Sequence, residues 1–137
     1  MEAKVNVKDL GISTKSSIEI CNFIRNKEVN KAKKILEQVI DKKMAIPFKR
    51  FKGNIAHKKG IGPGSYPIKA CGQILQLIKS AEANAQNMGM GKDLFLAHIS
   101  ASKGGKQWHF GRKRRRLMKR TNIKIILKEI QKKEVKK

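Results

Sequence analysis

Arg112, Lys113, Arg114, Arg115 and Arg116 follow directly on Gln107-Trp108-His109-Phe110-Gly111, and Lys103, Lys106, Lys119 and Arg120 flank this block on both sides. These residue types suit a polyanion. Arg offers a planar fork of donors that matches phosphate oxygens, and Lys offers a mobile point charge. Trp108 and Phe110 each carry a π-face on which an unstacked base can lie, a contact worth about 1–3 kcal/mol per base. Gly104, Gly105 and Gly111 permit tight turns and close backbone approach. Glycines, aromatics and charge on one segment favour RNA, which presents splayed bases and irregular shape. The competing reading is a solvated basic loop carrying two incidental aromatics.

A second basic stretch spans residues 42–65, KKMAIPFKRFKGNIAHKKGIGPGS, with no sustained hydrophobic period. It supplies Lys42, Lys43, Lys49, Arg50, Lys52, His57, Lys58 and Lys59, with Phe48 and Phe51 interleaved. As a set these residues are expected to face RNA, while Phe48 is equally suited to anchor in a core.

Catalysis finds no support. His57, His98 and His109 are scattered and lack Cys or carboxylate partners at ligand spacing, so no metal or cofactor is expected. On a strand, His98 reads as a structural residue. The acidic residues form no pair suited to metal-assisted phosphodiester cleavage. Gly60-Ile61-Gly62-Pro63-Gly64 lacks the Lys-Ser/Thr of a phosphate-binding loop.

The whole chain carries the same signal. Its 137 residues hold 33 Lys and Arg against 10 Asp and Glu, a net charge of +23. Such a charge strains a compact fold by self-repulsion unless a polyanion neutralises it. Nucleic acid is the leading partner, and an anionic membrane surface is the rival. No run approaches the roughly 18 apolar residues of a membrane span. The N-terminal MEAKVNVKDLGIS has no apolar signal core, so a cytoplasmic location is expected. Cys21 and Cys71 fall in helical apolar patterns and read as reduced, buried thiols.

The elements that would position the basic residues follow from periodicity. KVNVK alternates as a short strand with Val5 and Val7 on one face. Ser13 is expected to cap a helix through Ile24, with Ile20, Phe23 and Ile24 as its stripe. Asn30 is expected to cap a second helix, KAKKILEQVIDKK, with Ala32, Ile35, Leu36, Val39 and Ile40 at helical spacing. Tyr66-Pro67 opens a third, with Ile68, Cys71, Ile74, Leu75, Ile78, Ala81 and Ala85 as its stripe and Gly89 and Gly91 closing it. LFLAHISAS reads as a strand with Phe95, Ala97, Ile99 and Ala101 on one face, and TNIKIILKEI as another with Ile123, Ile125 and Leu127 inward.

This order predicts a small α+β domain with an antiparallel sheet. Residues 1–130 form the single domain, which includes an extended basic hairpin over 102–120, and residues 131–137 form a basic tail. The hairpin arms, about nine residues each at roughly 3.3 Å per residue, would project on the order of 30 Å. No apolar face runs along them, so something outside the domain must hold them.

KKILEQVIDKKMAIPFKRF, GIGPGSYPIKACGQILQLIKSAEANAQNMGM, LAHISAS and KRTNIKIIL together resemble the universal large-subunit ribosomal protein family twenty-two, whose eukaryotic cytoplasmic counterpart is numbered seventeen. The resemblance runs from about residue 3 to residue 130. AIPFKRF and GPGSYP bring it close to the archaeal type, and AIPFKRF, YPIKA and AEANAQ are its most specific pieces. It implies three helices on a three-stranded antiparallel sheet with a long protruding β-hairpin. It also implies a structural, non-catalytic role in the large subunit, with 23S-type rRNA and neighbouring large-subunit proteins as partners and no membrane. In the family the domain sits near the tunnel exit. The family's hairpin threads through rRNA to line the nascent-peptide tunnel, opposite the extension of ribosomal protein four, so the resemblance also implies the nascent chain as a partner.

Carried over by position, Gly111-Arg112 matches the family's Gly-Arg on the returning arm, and Lys119-Arg120-Thr121 its basic approach to the last strand. Gln107, Trp108, His109, Phe110 and Gly111 fall at the tip. Lys15, in Ser13-Thr14-Lys15, stands where the family often has Ser-Pro-Lys, and it joins the RNA-facing set. The outgoing arm is a few residues short and lacks the usual Pro before Gly-Arg. The alternative from another class is a free DNA- or RNA-binding regulatory or chaperone-like protein.

Overall fold

The computed structural model describes residues 1–129. In chain order these form β1 (Glu2–Leu10), α1 (Thr14–Ile24), α2 (Val29–Ile40), β2 (Ile46–Pro47), β3 (His57–Lys58), β4 (Gly62–Ser65), α3 (Ile68–Asn87), β5 (Leu94–Lys103), a 3-10 turn (Gly111–Lys113) and β6 (Thr121–Glu129). The expected α+β class holds. The basic tail expected over residues 131–137 lies outside the described residues.

β6 is the central strand of an antiparallel sheet ordered β1-β6-β5. Its alternation puts Ile123, Ile125 and Leu127 on the buried face. Cross-strand rows then form as Ala3-Leu127-Leu96, Val5-Ile125-Ile99 and Val7-Ile123-Ala101. Burying such rows is the main stabilising contribution, at about 25 cal/mol per Å² of apolar surface removed from water. α1 lies against β5, α3 against β1 and β6, and α2 packs on α3.

One face assignment is corrected. A register shift between Leu96 and His98 inserts an extra residue, so the inward set is Leu94, Leu96 and Ile99 rather than Phe95, Ala97 and Ile99. An unpaired residue reverses the alternation beyond it. His98 is thereby exposed, its ring nitrogen Nε2 3.1 Å from Ser100 Oγ.

Ser13 caps α1 as expected, its Oγ accepting from the Ser16 N–H at 3.5 Å. Asn30 does not cap α2. Glu28 holds that place in extended conformation without a side-chain cap bond. The cause is tertiary: Asn26 N–H donates to Leu96 O at 3.0 Å and Leu96 N–H to Lys27 O at 2.9 Å, so residues 26–28 run along the edge of β5. The helix starts once that pairing ends, which lets Val29 join the buried stripe of Ala32, Leu36 and Val39. α2 ends at Ile40, short of the expected Lys43. Pro67 precedes α3 as its cap, and Gly89 closes it with φ 73°, while Met90 N–H reaches back to Ala85 O at 3.0 Å.

Residues 42–65 are not a plain loop. Ile46 pairs with Ser65 and Pro47 with Gly64, while His57 pairs with Pro63 and Lys58 with Gly62. This second small sheet hangs on buried Ala45, Ile46 and Phe48. Phe48 is a core anchor. Cys21 and Cys71 are buried free thiols, and burial pushes both up to about 12 from an ordinary value of 9.0.

Candidate nucleic-acid interface

Beyond β5 and β6 the two arms continue as a pair. Gly104 N–H donates to Arg120 O at 2.9 Å, Met118 N–H to Gln107 O at 2.7 Å, and His109 N–H to Arg116 O at 2.8 Å. Trp108 bridges Leu117 between the last two bonds. The pairing slips by one residue between Gly104–Arg120 and Trp108–Leu117, which places an extra residue on the outgoing arm. At the far end Gly111, with φ 64°, opens the 3-10 turn, and Arg116 N–H closes on Lys113 O at 3.0 Å. The turn folds Arg112, Lys113, Arg114, Arg115 and Arg116 around an open concavity of about 610 Å³.

Trp108 is 63 % exposed and Phe110 86 % exposed, large apolar rings with no core to enter. Lys103, Lys106, Gln107 and Lys119 are exposed as well, while His109 and Arg120 are half-buried. Ion pairs form elsewhere in the fold: Glu2 with Lys4 and Lys128, Glu28 with Lys31, Asp41 with Lys43, and Glu82 with Lys33.

The root of this basic hairpin is held by polar bonds. Thr121 Oγ1, fully buried, donates to Ile12 O at 2.9 Å and lies 2.8 Å from Thr14 Oγ1. Arg120 Nη1 donates to Asp9 O at 3.2 Å, and Asn122 Oδ1 accepts from Asp9 N–H at 2.9 Å. Asp9 and Asn122 carry no sequence signal for this role, because it depends on the β1–β6 register.

The second basic set converges beside the start of α1. A cleft of about 420 Å³ is lined by Ser13, Lys15, Ser16, Arg50, Phe51, Lys52 and Asn54, among others. The Lys15 ammonium stands 5.8 Å, and the Arg50 guanidinium 5.2 Å, from the centre of the Phe51 ring. Such cation–π contacts are modest at exposed sites, roughly 0.5–1 kcal/mol. Ser13 and Ser16 also line an adjacent hollow with Lys69 and Lys119. The two basic sets therefore meet across the first turn of α1, and Lys69 belongs with them although sequence reasoning passed it over. His57, Lys58 and Lys59 sit apart on the β3 turn, Lys58 lying 5.5 Å from the centre of the Tyr66 ring.

Beneath the cleft lies Glu19, the buried carboxylate among the described residues, 2 % exposed. It accepts from the backbone N–H groups of Lys49, Arg50 and Phe51. No helix of the described residues is long and apolar enough to cross a membrane.

A family model described as "Ribosomal protein L22p/L17e" matches residues 5–136. The chain is 40% identical to the large ribosomal subunit protein uL22 of Staphylothermus marinus over 140 residues, covering 93% of this chain and 89% of the relative. The protein of the same name from Archaeoglobus fulgidus is 41% identical over 106 residues, covering 74% of this chain and 68% of the relative. That from Picrophilus torridus is 35% identical over 102 residues, with the same shares covered.

Proposed function

The chain belongs to the ribosomal protein L22p/L17e family, and we propose that it acts as a structural, non-enzymatic constituent of the large subunit by binding rRNA through its basic hairpin and the cleft beside α1. The observation that carries this reading is the hairpin itself, where exposed Trp108 and Phe110 stand on the arm that leads into the concavity of Arg112 to Arg116. RNA is the partner that satisfies both parts, phosphate for the guanidinium groups and base faces for the rings.

The mechanism is neutralisation and wedging. Cations at the hairpin turn, at its root and around the α1 cleft displace counterions from separate RNA segments and hold those segments together, which supports subunit assembly. The RNA-facing residues are Lys15, Lys49, Arg50, Lys52, His57, Lys58, Lys59, Lys103, Lys106, Arg112 to Arg116, Lys119 and Arg120. Gln107 to Gly111, which lead along the outgoing arm into the turn rather than forming the tip itself, help line the nascent-peptide tunnel, which makes the nascent chain a partner alongside neighbouring large-subunit proteins. The protein works in the cytoplasmic ribosome.

Two measurements test this. The protein should co-sediment with large subunits in high salt, where a free regulator washes off. Replacing Arg112, Arg114, Arg115 and Arg116 by Gln should lower the salt dependence of rRNA binding by about 0.7–0.9 for each phosphate that is no longer neutralised. An unchanged slope would make the run a solvated face.

A further inference from the structure

We propose that Glu19 is the positioning residue of the RNA-binding loop after β2: its buried carboxylate sets the direction in which Lys49, Arg50 and Lys52 meet phosphate. The inference rests on the reading of that loop as an RNA contact. Glu19 Oε1 accepts from Arg50 N–H at 2.8 Å and from Phe51 N–H at 2.9 Å, and Oε2 accepts from Lys49 N–H at 3.2 Å. Successive backbone N–H groups converging on one point make an anion-binding concavity. Here a carboxylate from α1 occupies that concavity from the inside.

Two consequences follow from the chemistry. A buried carboxylate is costly unless hydrogen bonds compensate it, so the three donors and the acid hold each other in place. With those N–H groups engaged inward, the side chains of Lys49, Arg50 and Lys52 stand exposed on the outer side. Arg50 then shares the Phe51 ring with Lys15, which closes the cleft beside Ser13 and Ser16. In a chain of net charge +23, an acid placed next to a phosphate site would ordinarily oppose binding. Sunk beneath the loop with all three bonds made, it organises the cations instead.

The test exploits this sign. Glu19→Gln removes one negative charge, which by long-range electrostatics alone strengthens binding to a polyanion. It also sets an amide NH2 against one of the backbone N–H groups, donor facing donor, and releases part of the loop. Positioning therefore predicts that full-length Glu19→Gln binds purified large-subunit rRNA about 3- to 10-fold more weakly near 0.15 M salt, with the salt slope lower by about one to two. Amide exchange at Lys49, Arg50 and Phe51 should quicken while β6 stays protected. The comparison is the triple variant Lys49→Gln, Arg50→Gln, Lys52→Gln. In that background Glu19→Gln should add no further loss, because the cations it orients are gone. Unchanged or tighter binding by Glu19→Gln, or losses that multiply in the combined variant, would overturn the proposal. If the triple variant binds like the parent protein, the loop is not an RNA contact, and the inference falls with that reading. Should Glu19→Gln fail to fold, Glu19→Asp carries the same comparison, keeping the charge but withdrawing it by one methylene.

Discussion

Gly104 faces Asp9 so closely that a methyl group built on it would lie 2.7 Å from Asp9 Oδ1, and 3.1 Å from both Arg120 Cβ and Asn122 Oδ1. The crowding has a cause in the sheet. Asp9 adopts φ 58° where the β1–β6 register shifts, and this turns the end of β1 toward the start of the hairpin. Arg120 and Asn122 then bond to the Asp9 backbone, and Gly104 N–H bonds to Arg120 O. The exit of the hairpin from the sheet is therefore a packed joint.

Gly104→Ala should destabilise the free protein by about 1 kcal/mol: the Asp9 carboxylate can swing aside, but Arg120 Cβ and the hydrogen-bonded Asn122 Oδ1, both at 3.1 Å, must give way. A methyl group on Gly105 would meet nothing within 4 Å, so Gly105→Ala should stay within about 0.5 kcal/mol of the parent. Thermal melting of the two variants side by side checks this. Equal melting temperatures would mean that the joint yields freely.

Protection against amide exchange should fall sharply at that same joint. The hairpin bonds at Gly104, His109 and Met118 are formed, but the flanking side chains are mostly exposed and add almost no apolar burial. Segments of that kind open locally at a small fraction of the global unfolding free energy. In the free protein the amides of Ile123 and Ile125 should exchange slowly and those of His109 and Met118 rapidly. Adding rRNA should slow the latter pair. Strong protection of His109 without RNA would contradict the view that an outside partner holds the arms.

The two thiols give a pH prediction. Burial raises Cys21 and Cys71 to about 12, above the ordinary value of 9.0 that applies when the chain unfolds. The folded state thus binds these protons more tightly. Their contribution to stability is complete below about pH 9 and is lost as pH rises from there toward 12. At about pH 8, below both values, a thiol reagent should label neither residue in the native protein and both in denaturant. Rapid native labelling would mean that the core around α1 and α3 opens readily.

Much of the fold was legible because the long elements carry strong periods: the α3 stripe is buried from Cys71 to Ala85, with Ile68 of the expected set left exposed, and the alternation of Ile123, Ile125 and Leu127 appears as expected. The misses share one physical origin, local preference overridden by pairing elsewhere. Asn30 is a good capping residue, yet residues 26–28 are fixed along β5 and start α2 earlier. The β5 bulge at Ala97 reverses a face that simple alternation cannot foresee. The small sheet at 46–65 rests on two-residue pairings, too short to leave a period. In the candidate site the exposed cations could be read from charge runs. Glu19 could not, because a single acid on a helix acquires its role only when a loop about thirty residues later folds over it.

Trp108 separates stability from function most cleanly. Its ring is 63 % exposed and it lies beyond the last rung of the sheet, paired with Leu117. Trp108→Ala should therefore leave the melting temperature of the free protein nearly unchanged, as expected of a surface position outside any core. Under the proposed reading, the same change removes one stacking platform, worth about 1–3 kcal/mol per base. That loss would disturb local RNA packing, or the passage of tunnel-binding drugs and stalling peptides. It would be too small to expel a protein held by many phosphate contacts, so the variant should still enter large subunits. Melting of the purified variant and its recovery in large subunits from cells are the two measurements. A large drop in melting temperature would place Trp108 in the stabilising core and overturn the reading of this stretch as an RNA-facing hairpin.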